Sequence, residues 1–122
     1  MKTEKQLQIR YTIFESLADL PAEAQTLMAE AVAARHNAYA PYSKFKVGAA
    51  VLVGNGKIFI GSNQENAAFP SGLCAERVAI YQASTQCPDE VIKMIAISGT
   101  AEDPTGQPVS PCGACRQSLS EY

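Results

Sequence analysis

A three-layer α/β/α sandwich around a mixed sheet is the fold class predicted by this chain of 122 residues. Three observations point there. Two apolar runs flank Gly54-Asn55-Gly56, a turn sequence suited to an antiparallel hairpin. Val91 to Ile97 is a nearly unbroken apolar run, as in a strand covered on both faces and flanked by neighbours. Three helix-forming stretches alternate with these strands, which calls for layers of helix on either side of one sheet.

From the N-terminus, Leu7, Ile9, Tyr11 and Ile13 alternate with Gln6, Gln8, Arg10 and Thr12. The period of two predicts a half-exposed strand, so residues 1–20 read as an N-terminal extension with a candidate edge strand, ahead of a domain spanning 21–122. Pro21 suits a first helical turn, and Ala24, Leu27, Met28, Ala31 and Val32 recur on one helix face until Pro41 stops it. The helix is predicted from about Pro21 to Ala38. Strands follow at Lys46 to Val53 and Lys57 to Ser62, then an irregular loop from Asn63 to Leu73 containing Pro70-Ser71-Gly72. A second helix is predicted from Cys74 to about Thr85, a strand from Val91 to Ile97, a connection rich in Gly, Pro and Thr, and a last helix opening at Cys112.

At this length, with 47% hydrophobic residues, the chain can bury one core and is read as one globular domain rather than two. A net charge of −2 with no basic run argues against a partner with a nucleic-acid backbone. Residues 1–20 carry Lys2, Glu4, Lys5, Arg10, Glu15 and Asp19 and no apolar stretch long enough for a signal peptide or membrane span, so a cytoplasmic protein without membrane contact is expected. In a reducing compartment its four cysteines favour metal binding or catalysis over disulfides.

Three of them form a pattern with chemical meaning. Cys74 lies two residues before Glu76, and Cys112 and Cys115 follow Pro111. Three thiolates can hold a Zn²⁺ and leave its fourth tetrahedral position open, the geometry of a catalytic site, while Glu76 at the start of a helix can face the same pocket without coordinating. Helix N-termini would also lower the pKa of the three thiols. A closed four-cysteine site recruiting Cys87 is the competing reading. It is weaker because the chain has one Cys-x-x-Cys pair where a structural site usually has two. His36, the sole histidine, is read as a helix C-terminal residue.

Four ordered motifs, Tyr39-Ala40-Pro41-Tyr42-Ser43-Lys44-Phe45, Asn63-Gln64-Glu65-Asn66, Cys74-Ala75-Glu76-Arg77 and Pro111 to Arg116, resemble the zinc-dependent nucleoside deaminases, most closely the small homotetrameric cytidine deaminases. The resemblance runs from about Ala38 to the end of the chain. It implies hydrolytic deamination of cytidine and deoxycytidine in pyrimidine salvage, one Zn²⁺ per subunit, and active sites where subunits of a homotetramer meet. Within it Glu76 carries protons, Asn63 and Glu65 grip the ribose 3′-hydroxyl, Phe45 packs on the pyrimidine ring, Ala75 touches substrate, and Arg77 donates hydrogen bonds to cysteine sulfurs, offsetting their net negative charge.

Plainer readings stand beside these roles: an Asx-type turn for Asn63 with a solvated Glu65, a core anchor for Phe45, a surface position for Arg77. Two other functions stay open, a deaminase for another aminated nucleoside or base, and a non-catalytic zinc-stabilised nucleoside-binding module. The resembled family continues past the position of Tyr122 with further strands and a C-terminal aromatic residue. A truncated form is therefore expected, with residues 6–13 as the alternative cover for the apolar strand Val91 to Ile97.

Overall fold

The computed structural model describes residues 1–100 and 108–122. Helix α1 spans Ala22–Arg35, strands β1 and β2 span Lys46–Val53 and Ile58–Ser62, helix α2 spans Ala75–Gln86, strand β3 spans Ile92–Thr100, and helix α3 spans Gly113–Glu121. Most of the Gly-, Pro- and Thr-rich connection after β3 lies outside the described residues.

The three strands form one sheet of order β2-β1-β3, with β1 in the centre. Seven of the eight residues of β1 are buried because helices cover both of its faces. Val47, Ala49, Val51 and Val53 point to one side and join Phe59, Ala75, Ala79, Ile80 and Ala83, with Leu119 of α3 packed against the cluster. Ala50 and Leu52 point to the other side and meet Leu27 and Ala31 of α1 and Ala96 of β3. The period of two in β1 thus sorts its side chains between the α1 layer and the layer holding α2 and α3, the predicted sandwich.

Both pairings of β1 are antiparallel. Among the described strands β2 and β3 therefore run parallel to each other, joined across α2, with β1 antiparallel between them. The hairpin closes where predicted. Gly56 takes the left-handed φ of 89°, which a residue without Cβ adopts readily, and the Asn55 side chain accepts a hydrogen bond from Lys57 N at 3.0 Å.

Two further expectations change. Residues 6–13 form no strand; they adopt no regular structure and are exposed throughout. Alternation makes a strand only where a sheet edge accepts its backbone hydrogen bonds, and these residues pair with none. Strand β3 runs on to Thr100 because Ser98, Gly99 and Thr100 pair with Gly48, Val47 and Lys46, so ladder pairing overrides their weak strand propensity. It has helices on both faces but pairs with β1 alone among the described strands, so the second flanking neighbour read from its apolar run is not present there. Among the described residues no helix is long and apolar enough to cross a membrane.

Candidate metal centre and adjoining cleft

The α2 layer sits close on the hairpin because Gly61 of β2 has no side chain: a Cβ there would fall 2.5 Å from the Ala75 carbonyl oxygen and 2.6 Å from Ala79 N. The loop leading into α2 is tied down by Gln64 and Leu73, which exchange backbone hydrogen bonds at 2.9 and 3.0 Å. Cys74 is thereby delivered as the N-cap of α2. On α3 the corresponding cap is Cys112, with Cys115 one turn inside and fully buried. The Tyr81 and Ser118 hydroxyls, 3.3 Å apart, link the two helices.

These placements bring the sulfurs of Cys74, Cys112 and Cys115 within 4.8 Å of one another, with 3.8 Å between Cys74 and Cys112. Tetrahedral zinc with Zn–S bonds of about 2.3 Å sets its sulfurs ~3.8 Å apart, so the spacing fits a bound Zn²⁺. Cys87 takes no part. It caps the opposite end of α2, about 18 Å along the helix by its rise, packs against the core and accepts a long hydrogen bond from Asn55 Nδ2 at 3.9 Å. The closed four-sulfur site is therefore not formed by Cys87.

Glu76, in the first turn of α2, is 4% exposed and is the buried charged side chain among the described residues. A carboxylate is rarely buried without a task or a partner. Arg77 Nη2 donates to Cys74 Sγ at 3.5 Å, so the guanidinium is turned to the cysteine cluster rather than to solvent. That bond to Cys74 raises its pKa further above the ordinary arginine value, opposed by burial and helped by Cys115.

The thiols do not behave alike, contrary to the expectation that helix N-termini depress all three. The backbone N–H of Cys115 stabilises the Cys112 thiolate and holds its pKa below the usual thiol value. Cys115 is pushed up to about 12, chiefly by burial, against the pull of Arg77. In the metal-free chain desolvation outweighs the helix terminus at the buried position.

Beside the cluster opens a cleft of about 440 Å³, within the range of small-molecule sites, lined by Tyr42, Ser43, Asn63, Glu65, Phe69, Leu73, Cys74 and Arg77 among others. It spans from the carboxylate of Glu65 to a candidate metal ligand. Glu65 Oε1 accepts from the backbone N–H groups of Tyr42 and Ser43 at 3.0 and 3.1 Å, and Oε2 from the Ser43 hydroxyl. The Ser43 bonds hold its pKa below the usual carboxylate value. Glu65 is therefore anchored, not merely solvated.

Asn63 is anchored too, accepting from Val47 N at 2.8 Å and donating to the Phe45 carbonyl at 2.9 Å, so it clips the start of β1 and makes no Asx turn on its own backbone. Phe45 is half-buried against the core cluster on the α2 face and is not a wall of the cleft. The Ala75 methyl is fully buried in that core, leaving only its main chain available to a ligand. Tyr42, Ser43, Phe69 and Leu73 are cleft residues to which the sequence pattern assigns no role. Their signal in the sequence is position alone: they flank Phe45 or lie between Asn63 and Cys74.

Residues 21–122 match the family model described as the cytidine and deoxycytidylate deaminase zinc-binding region. A cytidine deaminase of Sporosarcina psychrophila is 46% identical over 100 residues, which cover 82% of this chain and 70% of that protein. One from Halalkalibacterium halodurans is 42% identical over 97 residues, 80% of this chain and 70% of that protein. Among solved structures, cytidine deaminase from Burkholderia pseudomallei superposes with a TM-score of 0.68 at 44% identity, covering 77% of this chain and 72% of that one. The enzyme from Mycobacterium tuberculosis gives 0.67 at 38% identity, covering 79% and 74%.

Proposed function

The chain belongs to the cytidine and deoxycytidylate deaminase zinc-binding family, and from that premise we propose that it hydrolyses the 4-amino group of cytidine and deoxycytidine, giving uridine or deoxyuridine and ammonia. The observation that carries this reading is the meeting of three cysteine sulfurs within 4.8 Å beside the buried carboxylate of Glu76. Cys74, Cys112 and Cys115 would hold one Zn²⁺, whose chemistry when bound is that of a Lewis acid that makes water acidic enough to attack near neutral pH.

The chain's own residues do the rest. Glu76 serves as the proton carrier: it takes a proton from the attacking water and delivers it to ring N3 as the new C4–O bond forms, then takes the proton of the new C4 hydroxyl and passes it to the amino nitrogen as the C4–N bond breaks and ammonia leaves. Burial suits the task, since in a site shielded from water the carboxylate acts on the ring rather than on bulk solvent. Arg77 spreads the negative charge of the thiolates through its bond to Cys74. Glu65 and Asn63 grip the ribose 3′-hydroxyl in the adjoining cleft and the backbone of Ala75 holds the base edge, while Phe45, set behind the cleft in the core, supports the site through its carbonyl bond to Asn63. The absence of a basic run favours free nucleoside over polynucleotide, and we place the activity in pyrimidine salvage, in the cytoplasm, in a homotetramer.

The test is Glu76→Gln, with zinc content and cytidine turnover measured on the same sample. Retained zinc with turnover lost supports the assignment; unchanged turnover overturns the role of Glu76. Activity confined to another aminated nucleoside, or tight nucleoside binding without turnover in the unsubstituted chain, would replace the substrate or the enzymatic reading.

A further inference from the structure

The turn at Tyr42 to Phe45, which contributes Tyr42 and Ser43 to the cleft wall, has a conformation that the ligand chemistry does not explain. Lys44 has φ 59°, in the left-handed region that residues with a Cβ seldom occupy, so this turn stays in place only if its surroundings hold it. Those surroundings converge on one hydroxyl. Ser43 Oγ donates to Glu65 Oε2 and accepts from the Phe45 backbone N–H at 3.0 Å, while Ser43 N donates to the other carboxylate oxygen at 3.1 Å. Tyr42 N adds a bond to that same oxygen, and Lys44 N closes the turn on the Ala40 carbonyl at 3.1 Å.

From this geometry we infer that Ser43 is a positioning residue for sugar recognition: its hydroxyl fixes the rotation of the Glu65 carboxylate and ties it to the backbone of Phe45. The inference rests on the reading that Glu65 binds the ribose. A carboxylate with three protein donors keeps few lone-pair directions free. Glu65 is therefore held ionised, as an acceptor aimed in one direction, and a ligand hydroxyl that meets it need not order the side chain first. Ser43 itself need not touch the nucleoside. Because it is exposed and its partners are confined to Glu65 and Phe45, its removal leaves the sandwich core and the cysteine cluster alone.

The experiment is equilibrium binding of product, which requires no turnover, to the zinc-loaded chain and to Ser43→Ala, Ser43→Thr and Glu65→Gln, using uridine and 3′-deoxyuridine as probes. Loss of a hydrogen bond to a charged group that orients a binding contact predicts a Kd for uridine raised about tenfold in Ser43→Ala. The Kd for 3′-deoxyuridine should stay within about twofold, and Ser43→Thr, which keeps the hydroxyl, should restore uridine binding. In the Glu65→Gln background Ser43→Ala should add little, because the two act as one unit. Equal weakening toward both probes, no rescue by threonine, or full additivity overturns the inference while leaving the Glu65 reading intact. If Glu65→Gln alone fails to weaken uridine relative to 3′-deoxyuridine, the ribose reading falls and the inference with it.

Discussion

Gly61→Ala connects the fold to the chemistry in a single substitution. The added methyl would sit 2.5 Å from Ala75 O, 2.6 Å from Ala79 N and 3.0 Å from Val78 Cβ, about 0.9 Å inside the 3.4 Å where ordinary contact begins. Two of these neighbours are helix backbone and cannot rotate away, so α2 must move off β2 by most of that distance or the hairpin must bend. Overpacking of this kind costs roughly 1–3 kcal/mol. For a domain of this size that is a fall in Tm of roughly 4–12 °C. The same shift carries Cys74 and Glu76, which open α2, away from Cys112 and Cys115 on α3, and a misplacement near 1 Å costs on the order of a hundredfold in rate.

Thermal unfolding, zinc stoichiometry and cytidine turnover on the purified variant provide the assay, with Gly56→Ala as the control. Gly56 has open space around its Cβ position and only a strained φ of 89°, so its replacement should cost about 1 kcal/mol and leave turnover within twofold. A Gly61→Ala protein with unchanged Tm and unchanged turnover would refute the claim that backbone contact between β2 and α2 sets the site.

Four further outcomes are expected. Ile80→Ala, which empties a fully buried position between α2 and the sheet, should lower stability by roughly 2–5 kcal/mol in chemical denaturation. Arg77→Ala should keep the fold and weaken zinc binding about 10- to 100-fold in chelator competition, because the Cys74 sulfur loses its donor. Zinc binding must displace the proton that Cys115 retains up to about pH 12 in the metal-free chain, so apparent affinity should rise at least about tenfold per pH unit between pH 6 and 8, more if a second thiol also gives up its proton, and a flat profile would contradict this. Because burial holds that proton in the folded metal-free chain, its stability should be level below the ordinary thiol value of 9.0 and fall as pH climbs from there toward 12, as read from the pH dependence of the denaturation midpoint.

The elements that were legible in the sequence are those whose local signals agree with their tertiary use. The hairpin at Gly54-Asn55-Gly56 was readable because a left-handed position was needed and a glycine stood there. Cys74 and Cys112 were readable as helix openings because the residues after each sustain a helix. The strand expected at residues 6–13 failed because alternation describes a side-chain pattern and says nothing of whether a partner edge exists. The polar end of β3 was missed for the complementary reason: its pairing with Lys46, Val47 and Gly48 is non-local.

At the site, the cysteine spacing and Glu76 could be read from chemistry and resemblance alone. The divergence of Cys112 and Cys115 could not, since burial depends on which side of α3 faces the core. The engagement of Asn63 with the start of β1, and of Glu65 with Ser43, likewise joins residues 16 to 23 positions apart, a distance over which sequence periodicity carries no information.

The number and kind of atoms around the bound metal test the central claim most directly. X-ray absorption on the zinc-loaded chain should give three sulfur scatterers at about 2.3 Å and one lighter oxygen or nitrogen scatterer at about 2.0 Å. Four sulfurs, or fewer than three, would contradict an open site built by Cys74, Cys112 and Cys115.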